Sequence, residues 1–482
     1  MRTATPPLAA TTCHRSWKPK CAWPPVVAPN KPSSSKPEEH AVTDTVPNRA
    51  EVHFDRHTPE YRVQFEAITT ELQQKCPVAW TETYGGHWVI SDHQSVFELA
   101  RDPHLLSSDH DPHNERKGYL GISIPAISPT QGGILEMDPP DQKDYRSLMN
   151  PYLSPAAVAR WAPMVEDITR ACLDETIESG SIDFVDDLAN IVPAIMTMAL
   201  MGLPLADWVI YCEPAHAAIY TAPDSPDVPR VMEAYFAMAI KLQEELENAR
   251  QRPRPGLVHA LVNAKIAGET PTDEFLGGML GLLIGGGFDT TTSLTAKSLD
   301  WLSNNPGERA RLAADLPGLI NSATEEFLRF FTPAPGDGRT VTTDCVYAGQ
   351  QLKEGDRLWL SWAMANRDPE VFPDPNTIHL DRTNNRHSAF GLGVHRCIGS
   401  NVARSIYKTM LTQVLDRMPD FVCDSDSAVH YDTVGVINGM KHLSATFTPG
   451  KRLGDNLADT IAKWQHKCDT EGLAEPIART EG

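Results

Sequence analysis

The segment Phe-Gly-Leu-Gly-Val-His-Arg-Cys-Ile-Gly, residues 390–399, places three glycines, two cationic side chains and one cysteine within ten residues. Glycines allow backbone turns that other residues disfavour, and a cysteine thiolate is a soft metal ligand. Apolar residues recur at helical spacing from Val402 to Leu415, so Cys397 is predicted to lie just before a helix. Backbone N–H groups and the helix dipole favour a thiolate at that position. An isolated cysteine in a glycine-rich turn is more often an unreactive residue, so the interpretation depends on the rest of the chain.

A long helix is predicted upstream of this segment. Residues 270–273 (Thr-Pro-Thr-Asp) supply a cap, a first-position proline and an early acid, and no helix breaker follows before residues 304–306 (Asn-Asn-Pro). The predicted helix has about 34 residues and spans about 50 Å. Three glycines at 285–287 each cost about 1 kcal/mol in a helix interior, which a flat ligand against the backbone or close helix packing would explain. Residues 289–291 (Asp-Thr-Thr) follow, although these residue types are poor helix formers.

Residues 390–399 resemble the haem-binding loop of the cytochrome P450 family in its bacterial form. Residues 286–291 resemble the family's oxygen-activation motif, and residues 326–329 resemble its Glu-x-x-Arg motif. With the Asp-Pro-Pro helix start at 138–140, four motifs follow the family's order within about residues 90–450. The resemblance implies the cytochrome P450 fold, which is mainly α with a small β region.

The chain is expected to have three parts. Residues 1–50 are predicted to be a disordered N-terminal extension, because they combine Pro-Pro pairs and a serine run with little periodicity. A targeting segment is the alternative, although the prolines disfavour the helix that such a segment needs. Residues 51–450 would form the cytochrome P450 catalytic domain, with short strands near 339–341 and 356–360. Residues 451–482 are expected to be a polar, partly helical tail without a catalytic signal.

The resemblance implies that the cysteine of residues 390–399 is the axial thiolate ligand of haem iron. The residues with implied haem contacts are Cys397, Arg146, Arg339, His387, Gly286, Phe390 and His395. Arg146, Arg339 and His387 are expected to pair with haem propionates through charge-assisted hydrogen bonds. Considered alone, Arg146 is an ordinary exposed helix residue. Its helix is predicted to begin with Asp138 as N-cap and Pro139 at the first position.

The resemblance also assigns residues to proton transfer and to structural support. Asp289 is the implied acid and Thr290 the implied alcohol of a catalytic relay that delivers protons during oxygen activation. Glu326 and Arg329 are expected to join Arg382 in a buried network, although their spacing alone is also typical of exposed helix faces. Removing one charged partner of such a buried network lowers the free energy of unfolding by about 3–5 kcal/mol. The residues expected to line the substrate pocket are Leu282, Gly285 and Ile437.

The implied function is that of a haem b monooxygenase, an oxidoreductase acting on paired donors with O2. It would insert one oxygen atom into a small apolar substrate, and similarity to camphor-hydroxylating members suggests a terpenoid. Fatty acids, steroids and polyketides stay open as substrates. Electrons are expected from NAD(P)H through a separate ferredoxin and ferredoxin reductase, because no flavin or iron–sulfur module fits in the chain. A peroxygenase using hydrogen peroxide and a non-enzymatic haem sensor or carrier are the alternatives, and both have less need of an acid–alcohol relay.

The composition disfavours several other classes of protein, such as nucleic-acid-binding and membrane-spanning proteins. The chain has 482 residues, 41% of them hydrophobic and 22% charged, as is typical of a globular protein. Its formal net charge of −20 disfavours nucleic acid or an anionic membrane as the main partner, although a local basic face for an acidic electron carrier is compatible with it. No stretch has the apolar length of a membrane span. Nine cysteines without regular spacing favour a reducing compartment, so a cytoplasmic monomer is expected.

Overall fold

The computed structural model describes residues 49–477 except 112, 114, 127–130 and 267. The predicted disorder of residues 1–50 therefore lies outside the described residues, apart from its last two positions. Arg49 stacks over the Trp80 ring at 4.4 Å, and the Ala50 carbonyl oxygen accepts a hydrogen bond of 2.7 Å from the Trp80 N–H. In the described part of the chain, no helix is both long and apolar enough to cross a bilayer.

Helices dominate the structure. They are α1 (Pro59–Lys75), α2 (His93–Leu99), α3 (Asp141–Leu153), α4 (Pro155–Ala159), α5 (Ala162–Thr176), α6 (Ile191–Met201), α7 (Trp208–Tyr220), α8 (Val228–Gln251), α9 (Leu257–Val262), α10 (Asp273–Gly287), α11 (Asp289–Asn304), α12 (Pro306–Ala314), α13 (Leu316–Phe331), α14 (Trp362–Ala365), α15 (Ser400–Arg417) and α16 (Leu457–Thr470). Every residue of α6 is buried, so α6 lies in the centre of the helical core with α5, α7 and α10 around it.

The strands are short. They are β1 (Val78–Thr81), β2 (His87–Ile90), β3 (Leu106–Ser107), β4 (Ser181–Asp183), β5 (Asp337–Val341), β6 (Cys345–Tyr347), β7 (Gln350–Leu352), β8 (Arg357–Leu360), β9 (Val422–Cys423), β10 (Val429–His430), β11 (Met440–His442) and β12 (Ser444–Thr446). The largest sheet has the order β1-β2-β8-β5-β3. In it β2 and β8 are parallel, and β5 pairs antiparallel with β8 so that Arg339 lies opposite Leu358. The strands predicted near 339–341 and 356–360 are confirmed, as is the mainly α fold with a small β region.

The prediction of one uninterrupted helix from residues 270–273 to the breaker at 304–306 is wrong. The chain forms α10 and α11, which meet at Phe288, whose φ and ψ are −117° and −50°. Just after the break, the Thr290 hydroxyl donates a hydrogen bond of 3.3 Å to the Gly286 carbonyl oxygen. A side chain that binds the preceding turn competes with the regular backbone ladder. The flexible glycines and this threonine together account for the interruption.

The predicted start of α3 is also wrong. This helix begins at Asp141, and Asp138 does not cap it. Instead, the Asp138 carboxylate accepts hydrogen bonds of 2.5 Å from the Ser107 hydroxyl and 2.9 Å from the Ser108 N–H. Asp138 therefore fastens the segment before α3 to β3.

The polar tail from residue 451 packs against the helical core. Its helix α16 lies on α5, with Ile461 and Trp464 buried between them. The Trp464 indole N–H donates a hydrogen bond of 3.0 Å to the Asp167 carboxylate. The helical content that the sequence predicts is therefore present, and this helix belongs to the same core as α5.

Candidate functional site

The loop at residues 390–399 is held in a fixed shape by backbone contacts. Gly391 and Gly393 have φ angles of +65° and +67°, which favour glycine. A Cβ atom on Gly393 would also lie 2.4 Å from the Ala100 carbonyl oxygen. The Cys397 N–H donates a hydrogen bond of 2.8 Å to the Phe390 carbonyl oxygen, and α15 begins at Ser400. The cysteine therefore precedes a helix, as the sequence predicts.

The Cys397 thiol faces a recess. Its side chain is accessible to solvent, yet the surrounding protein is close enough that burial raises the pKa of the thiol. The Gly399 N–H and the positive charges of Arg146, Arg396 and Arg404 act in the opposite direction. A side chain that is both accessible and desolvated lies in a recess of the protein surface, where a ligand can reach it. A bound metal ion would deprotonate such a thiol outright.

Cationic groups converge beside the cysteine. Arg146 donates a hydrogen bond of 2.7 Å to the Arg396 carbonyl oxygen, and its charge acts on both Cys397 and His395. Arg339 is buried, and its closest described partners are the Gly338 carbonyl oxygen at 2.6 Å and an Asp337 oxygen at 3.9 Å. A guanidinium has five N–H donors, so Arg339 retains unused capacity for an anion.

His395 lies near the same two arginines. Its Nδ1 is buried and has no hydrogen-bond partner among the described residues. Burial, followed by the charges of Arg339 and Arg146, lowers the pKa of His395 to about 3. An acidic ligand at this place would offer acceptors to the two arginines and a partner to the ring nitrogen.

His387 has different partners from these three residues. Its Nε2 lies 3.0 Å from a Glu325 carboxylate oxygen, and its Nδ1 accepts a hydrogen bond of 3.2 Å from the Ala389 N–H. Arg404 donates to both oxygens of Glu325, at 2.6 and 2.7 Å. Burial alone would raise the pKa of Glu325, but the bonds from Arg404 and His387 lower it to about 2. The Arg404 guanidinium also stacks over the Phe390 ring at 4.3 Å.

The predicted support network is present as contacts. Arg329 donates to both oxygens of Glu326 at 2.8 Å, and the Arg382 Nε lies 3.0 and 2.9 Å from the same two oxygens. The His379 N–H and the Asn385 amide donate to this carboxylate as well, at 2.9 and 3.1 Å. Burial favours the neutral form of Glu326, but the bonds from Arg329 outweigh it and hold the pKa below the ordinary range. The network joins α13 to the segment that leads into residues 390–399.

The glycines near the helix break divide into two kinds. A Cβ atom on Gly287 would lie 2.4 Å from the Thr197 hydroxyl oxygen, so Gly287 permits close packing of α10 against α6. A Cβ atom on Gly286 would meet nothing within 4 Å, and Gly286 is exposed. Close helix packing therefore explains Gly287, whereas it does not explain Gly286. Gly286 borders open space, as a wall against a flat ligand would.

Asp289 and Thr290 lie side by side at the start of α11. Asp289 is fully buried, and its Oδ1 accepts a hydrogen bond of 2.8 Å from the Tyr431 hydroxyl. The same Oδ1 lies 2.5 Å from Nδ1 of His216 on α7. Sequence reasoning missed both partners, because they lie 73 and 142 residues from Asp289 and belong to no recognisable motif.

The predicted pocket residues come from α10 and from the loop between β10 and β11. Ile437 in this loop is buried, and the next residue, Asn438, accepts a hydrogen bond of 2.7 Å from the Ser293 hydroxyl of α11. Gly285 faces Ile219 of α7, whose Cδ1 would lie 3.9 Å from an added Cβ atom. Leu282 packs towards Gly133 in the short 3-10 helix Gly133–Glu136.

Residues 223–428 match the family model described as Cytochrome P450. Over 342 residues the chain is 30% identical to the vitamin D3 dihydroxylase of Streptomyces griseolus, an alignment that covers 69% of this chain and 80% of the relative. The chain belongs to the cytochrome P450 family. As a cytochrome P450 it is an oxidoreductase with monooxygenase activity, and the family implies a haem cofactor.

Other relatives of this cytochrome P450 agree with that assignment. The steroid C26-monooxygenase of Mycolicibacterium smegmatis is 28% identical over 368 residues, covering 74% of this chain and 86% of the relative. Cytochrome P450-terp of a Pseudomonas species is 27% identical over 365 residues, covering 72% and 85%. Among solved structures, CYP109E1 of Bacillus megaterium in complex with testosterone has a TM-score of 0.71 and 27% identity, covering 81% of this chain and 99% of that one.

The residues at this site fit a haem. Cys397 offers a thiolate ligand in a recess that a ligand can reach. The unpartnered Nδ1 of His395 and the partly unpaired Arg339 guanidinium would meet carboxylate groups such as propionates. Gly286 leaves room for a flat ring system. A cytochrome P450 with this arrangement could hold the cofactor between residues 390–399 and α10.

Proposed function

We propose that this cytochrome P450 binds haem b through Cys397 and inserts one oxygen atom of O2 into a compact apolar substrate. Electrons come from NAD(P)H through a separate ferredoxin and ferredoxin reductase. The observation that carries the proposal is the convergence of an accessible thiol with two arginines and an unpartnered histidine nitrogen in one place. Buried hydrogen-bond donors without acceptors are tolerated in a protein when a bound ligand supplies the acceptors.

Haem bound at Cys397 supplies an iron centre that activates O2. Arg146, Arg339 and His395 would hold its acidic groups, and Gly286 would leave room for it beside α10. The Glu326 network keeps residues 390–399 in position while His387 supports the same loop through Glu325. These roles follow from the contacts described above and from the family resemblance.

Asp289 and Thr290 would deliver protons to the reacting centre. The Thr290 hydroxyl lies at the helix break, where it donates to the Gly286 carbonyl oxygen. Oδ2 of Asp289 is buried without a hydrogen-bond partner among the described residues, so it is free to exchange a proton with the threonine side of the cavity. An acid and an alcohol that hold a proton next to a closed site permit its transfer without opening the site to water.

The substrate is proposed to have a terpenoid or steroid-like hydrocarbon skeleton. The residues assigned to the pocket are apolar or lack a side chain: Leu282, Gly285, Ile437 and, on α7, Ile219. Relatives are named for vitamin D3, for a steroid and as P450-terp, and all three names are compatible with bulky, largely apolar molecules. Apolar pockets with few polar groups favour such ligands.

An acidic electron carrier would suit the surface around residues 390–399. The exposed cations Arg101, Lys143 and Arg396 lie on this surface although the whole chain has a net charge of −20. Arg101 neighbours Gly393, and Gln142, next to Lys143, donates a hydrogen bond of 2.8 Å to the Val394 carbonyl oxygen. A positive patch speeds association with an acidic partner, and added salt slows it.

The proposal is tested with the purified haem-loaded chain, a ferredoxin, its reductase and NADH. Terpenoids, steroids and fatty acids are titrated while the spin-state band of the haem is recorded, and ligands that shift the band are then tested for product. We expect terpenoid or steroid ligands to shift the band and to be hydroxylated or epoxidised only with both redox partners present. Turnover with hydrogen peroxide alone would support a peroxygenase, and no turnover under any condition would support a haem sensor or carrier.

A further inference from the structure

A histidine, an aspartate and a tyrosine from three elements meet behind the proposed relay. His216 lies on α7, Asp289 begins α11, and Tyr431 follows β10. Oδ1 of Asp289 is 2.5 Å from His216 Nδ1 and 2.8 Å from the Tyr431 hydroxyl, which is itself 3.2 Å from His216 Nδ1. One carboxylate oxygen therefore receives two donors, and the other oxygen is left for the relay.

The contact constrains which atoms carry protons. When Asp289 is ionised it is only an acceptor, so the contact with Nδ1 then requires a proton on that ring nitrogen of His216. Burial and then the charge of Asp289 raise the pKa of Tyr431 well above its ordinary range. Tyr431 thus stays a fixed donor, and the imidazole of His216 is the donor of the type that exchanges protons near neutral pH.

His216 also connects the buried acid to the outside. The Asp289 side chain is 0% exposed, whereas 14% of the His216 side chain is exposed. The ring lies edge-on to Tyr220 and Tyr431, with centroid distances of 5.1 and 5.4 Å, and its contacts with Asp289 and Tyr431 both use Nδ1. Nε2 is therefore open to proton exchange while Nδ1 contacts the acid.

The ionisable groups around the ring come from several elements. Asp289 faces it from α11 and Tyr431 from the loop after β10, while Tyr220 is on the same helix, one turn away. Cys212 lies one turn earlier on α7, and burial followed by the charge of Asp289 raises the pKa of its thiol, which keeps it neutral. The cation Lys441 lies 4.2 Å from the centre of the Tyr220 ring, on the far side of the cluster.

We propose that His216 passes protons from solvent to Asp289 and so sets the pH dependence of the relay; this inference rests on the proposed role of Asp289 and Thr290. A proton binds Nε2, the Nδ1–H bond breaks, and an O–H bond forms at Oδ1. The ring becomes neutral imidazole and the carboxylate becomes a carboxylic acid, whose carboxyl group rotates so that the new O–H turns to the Thr290 side and gives up its proton there. The ring then turns so that Nδ1 meets solvent and takes up a second proton, and it turns back to restore the Nδ1–H contact with the carboxylate, so that each cycle carries one proton inwards. His216 is a positioning residue, since it acts through Asp289.

The sign of the pH effect follows directly. Each cycle takes one proton from solvent at the ring, so the supply of protons to Asp289 falls as the pH rises. Glutamine at this position can still donate a hydrogen bond but cannot carry a proton. His216→Gln therefore separates the structural contact from proton transfer.

The first test does not depend on turnover. Proton NMR of the haem-loaded chain in its diamagnetic ferrous–CO form is recorded for exchange-protected ring N–H signals. We expect a downfield signal that disappears in His216→Gln and in Asp289→Asn and stays in His466→Gln, a matched substitution at an exposed histidine on α16. A spectrum in which neither His216→Gln nor Asp289→Asn removes a ring N–H signal would contradict the pairing.

The second test is the ratio of product formed to NADH consumed, measured between pH 6 and pH 9 (a range of about three units around the ordinary imidazole titration). We expect this ratio to fall as pH rises in the native chain and in His466→Gln. In His216→Gln it should be about tenfold lower at acidic pH, and its pH dependence should be absent. The size of the substrate-induced spin shift reports correct folding, and His216→Asn replaces His216→Gln if the latter does not retain haem.

The outcomes separate this inference from the proposed function. If Asp289→Asn lowers the ratio but His216→Gln leaves it unchanged, His216 has no role in proton supply. If His216→Gln lowers the ratio yet keeps the native pH dependence, the histidine is only structural, which also overturns the inference. If Asp289→Asn has no effect, the relay itself is wrong, and the proposed function loses that step independently of His216.

Discussion

Replacing Glu326 with glutamine tests how much the buried network contributes to the fold. Arg329 and Glu326 are both 0% exposed in their side chains, and the Arg382 side chain is 7% exposed. Glutamine has the shape of glutamate but turns an N–H donor towards one of two guanidinium groups. The change leaves buried positive charge without a counterion, which costs about 3–5 kcal/mol. With a urea m-value of about 3 kcal/mol per M, the unfolding midpoint falls by more than about 1 M.

A matched control exists in the same chain. Glu308 and Arg311 on α12 have the same Glu-x-x-Arg spacing, but their side chains are 41% and 42% exposed. An exposed pair contributes less than about 1 kcal/mol, so Glu308→Gln should move the midpoint little. Urea unfolding of the haem-loaded chain is followed by circular dichroism and by the haem absorption band. Equal shifts for Glu326→Gln and Glu308→Gln would refute the argument that burial gives this network its strength.

Three further predictions concern the haem cavity. Gly287→Ala should destabilise the fold by about 1–3 kcal/mol because its Cβ atom would overlap the Thr197 hydroxyl, whereas Gly286→Ala should leave thermal unfolding of the haem-free chain nearly unchanged. Arg339→Met should weaken haem retention at least about tenfold, as followed by haem transfer to apomyoglobin, and unaltered retention would argue against its role with an acidic ligand. Thr290→Ala should raise peroxide release per NADH consumed without changing the substrate-induced spin shift, and full coupling in this variant would count against the alcohol of the relay.

Local sequence patterns predicted the parts of the site that depend on neighbouring residues. The glycine turns and the following helix place Cys397 as expected, since both are dictated by backbone preferences within about a dozen residues. Glu326 and Arg329 meet because residues three apart share a helix face. Arg382 joins them, a contact that the family resemblance implied and that spacing could not have given.

Contacts between distant segments were beyond sequence reasoning. His216 and Tyr431 reach Asp289 only because α7, α11 and the loop after β10 pack together, and no local pattern encodes that meeting. The break at Phe288 was missed for a different reason, because the Thr290 hydroxyl binds the preceding turn and competes with the backbone ladder of a glycine-rich helix. Asp138 is a residue type that often caps helices, but its carboxylate instead binds Ser107 of β3 and the backbone N–H of the adjacent Ser108.

His387 contacts a carboxylate of the protein, whereas the sequence predicts a contact with a haem propionate. Glu325, one residue before the Glu-x-x-Arg motif, engages His387 and Arg404 together. A propionate would compete with a carboxylate that is already held by charge-assisted hydrogen bonds. The unpartnered Nδ1 of His395 is the better candidate for that role.

The most direct test of the whole account is the ferrous–CO spectrum of Cys397→Ser, with Cys468→Ser as the control because Cys468 lies on α16 away from the loop. We expect the native chain and Cys468→Ser to give the red-shifted Soret band of a thiolate-ligated haem, and Cys397→Ser to lose it. A Cys397→Ser protein that retains haem and still gives the thiolate band would contradict the assignment of Cys397 as the ligand, and with it the proposed arrangement of the site.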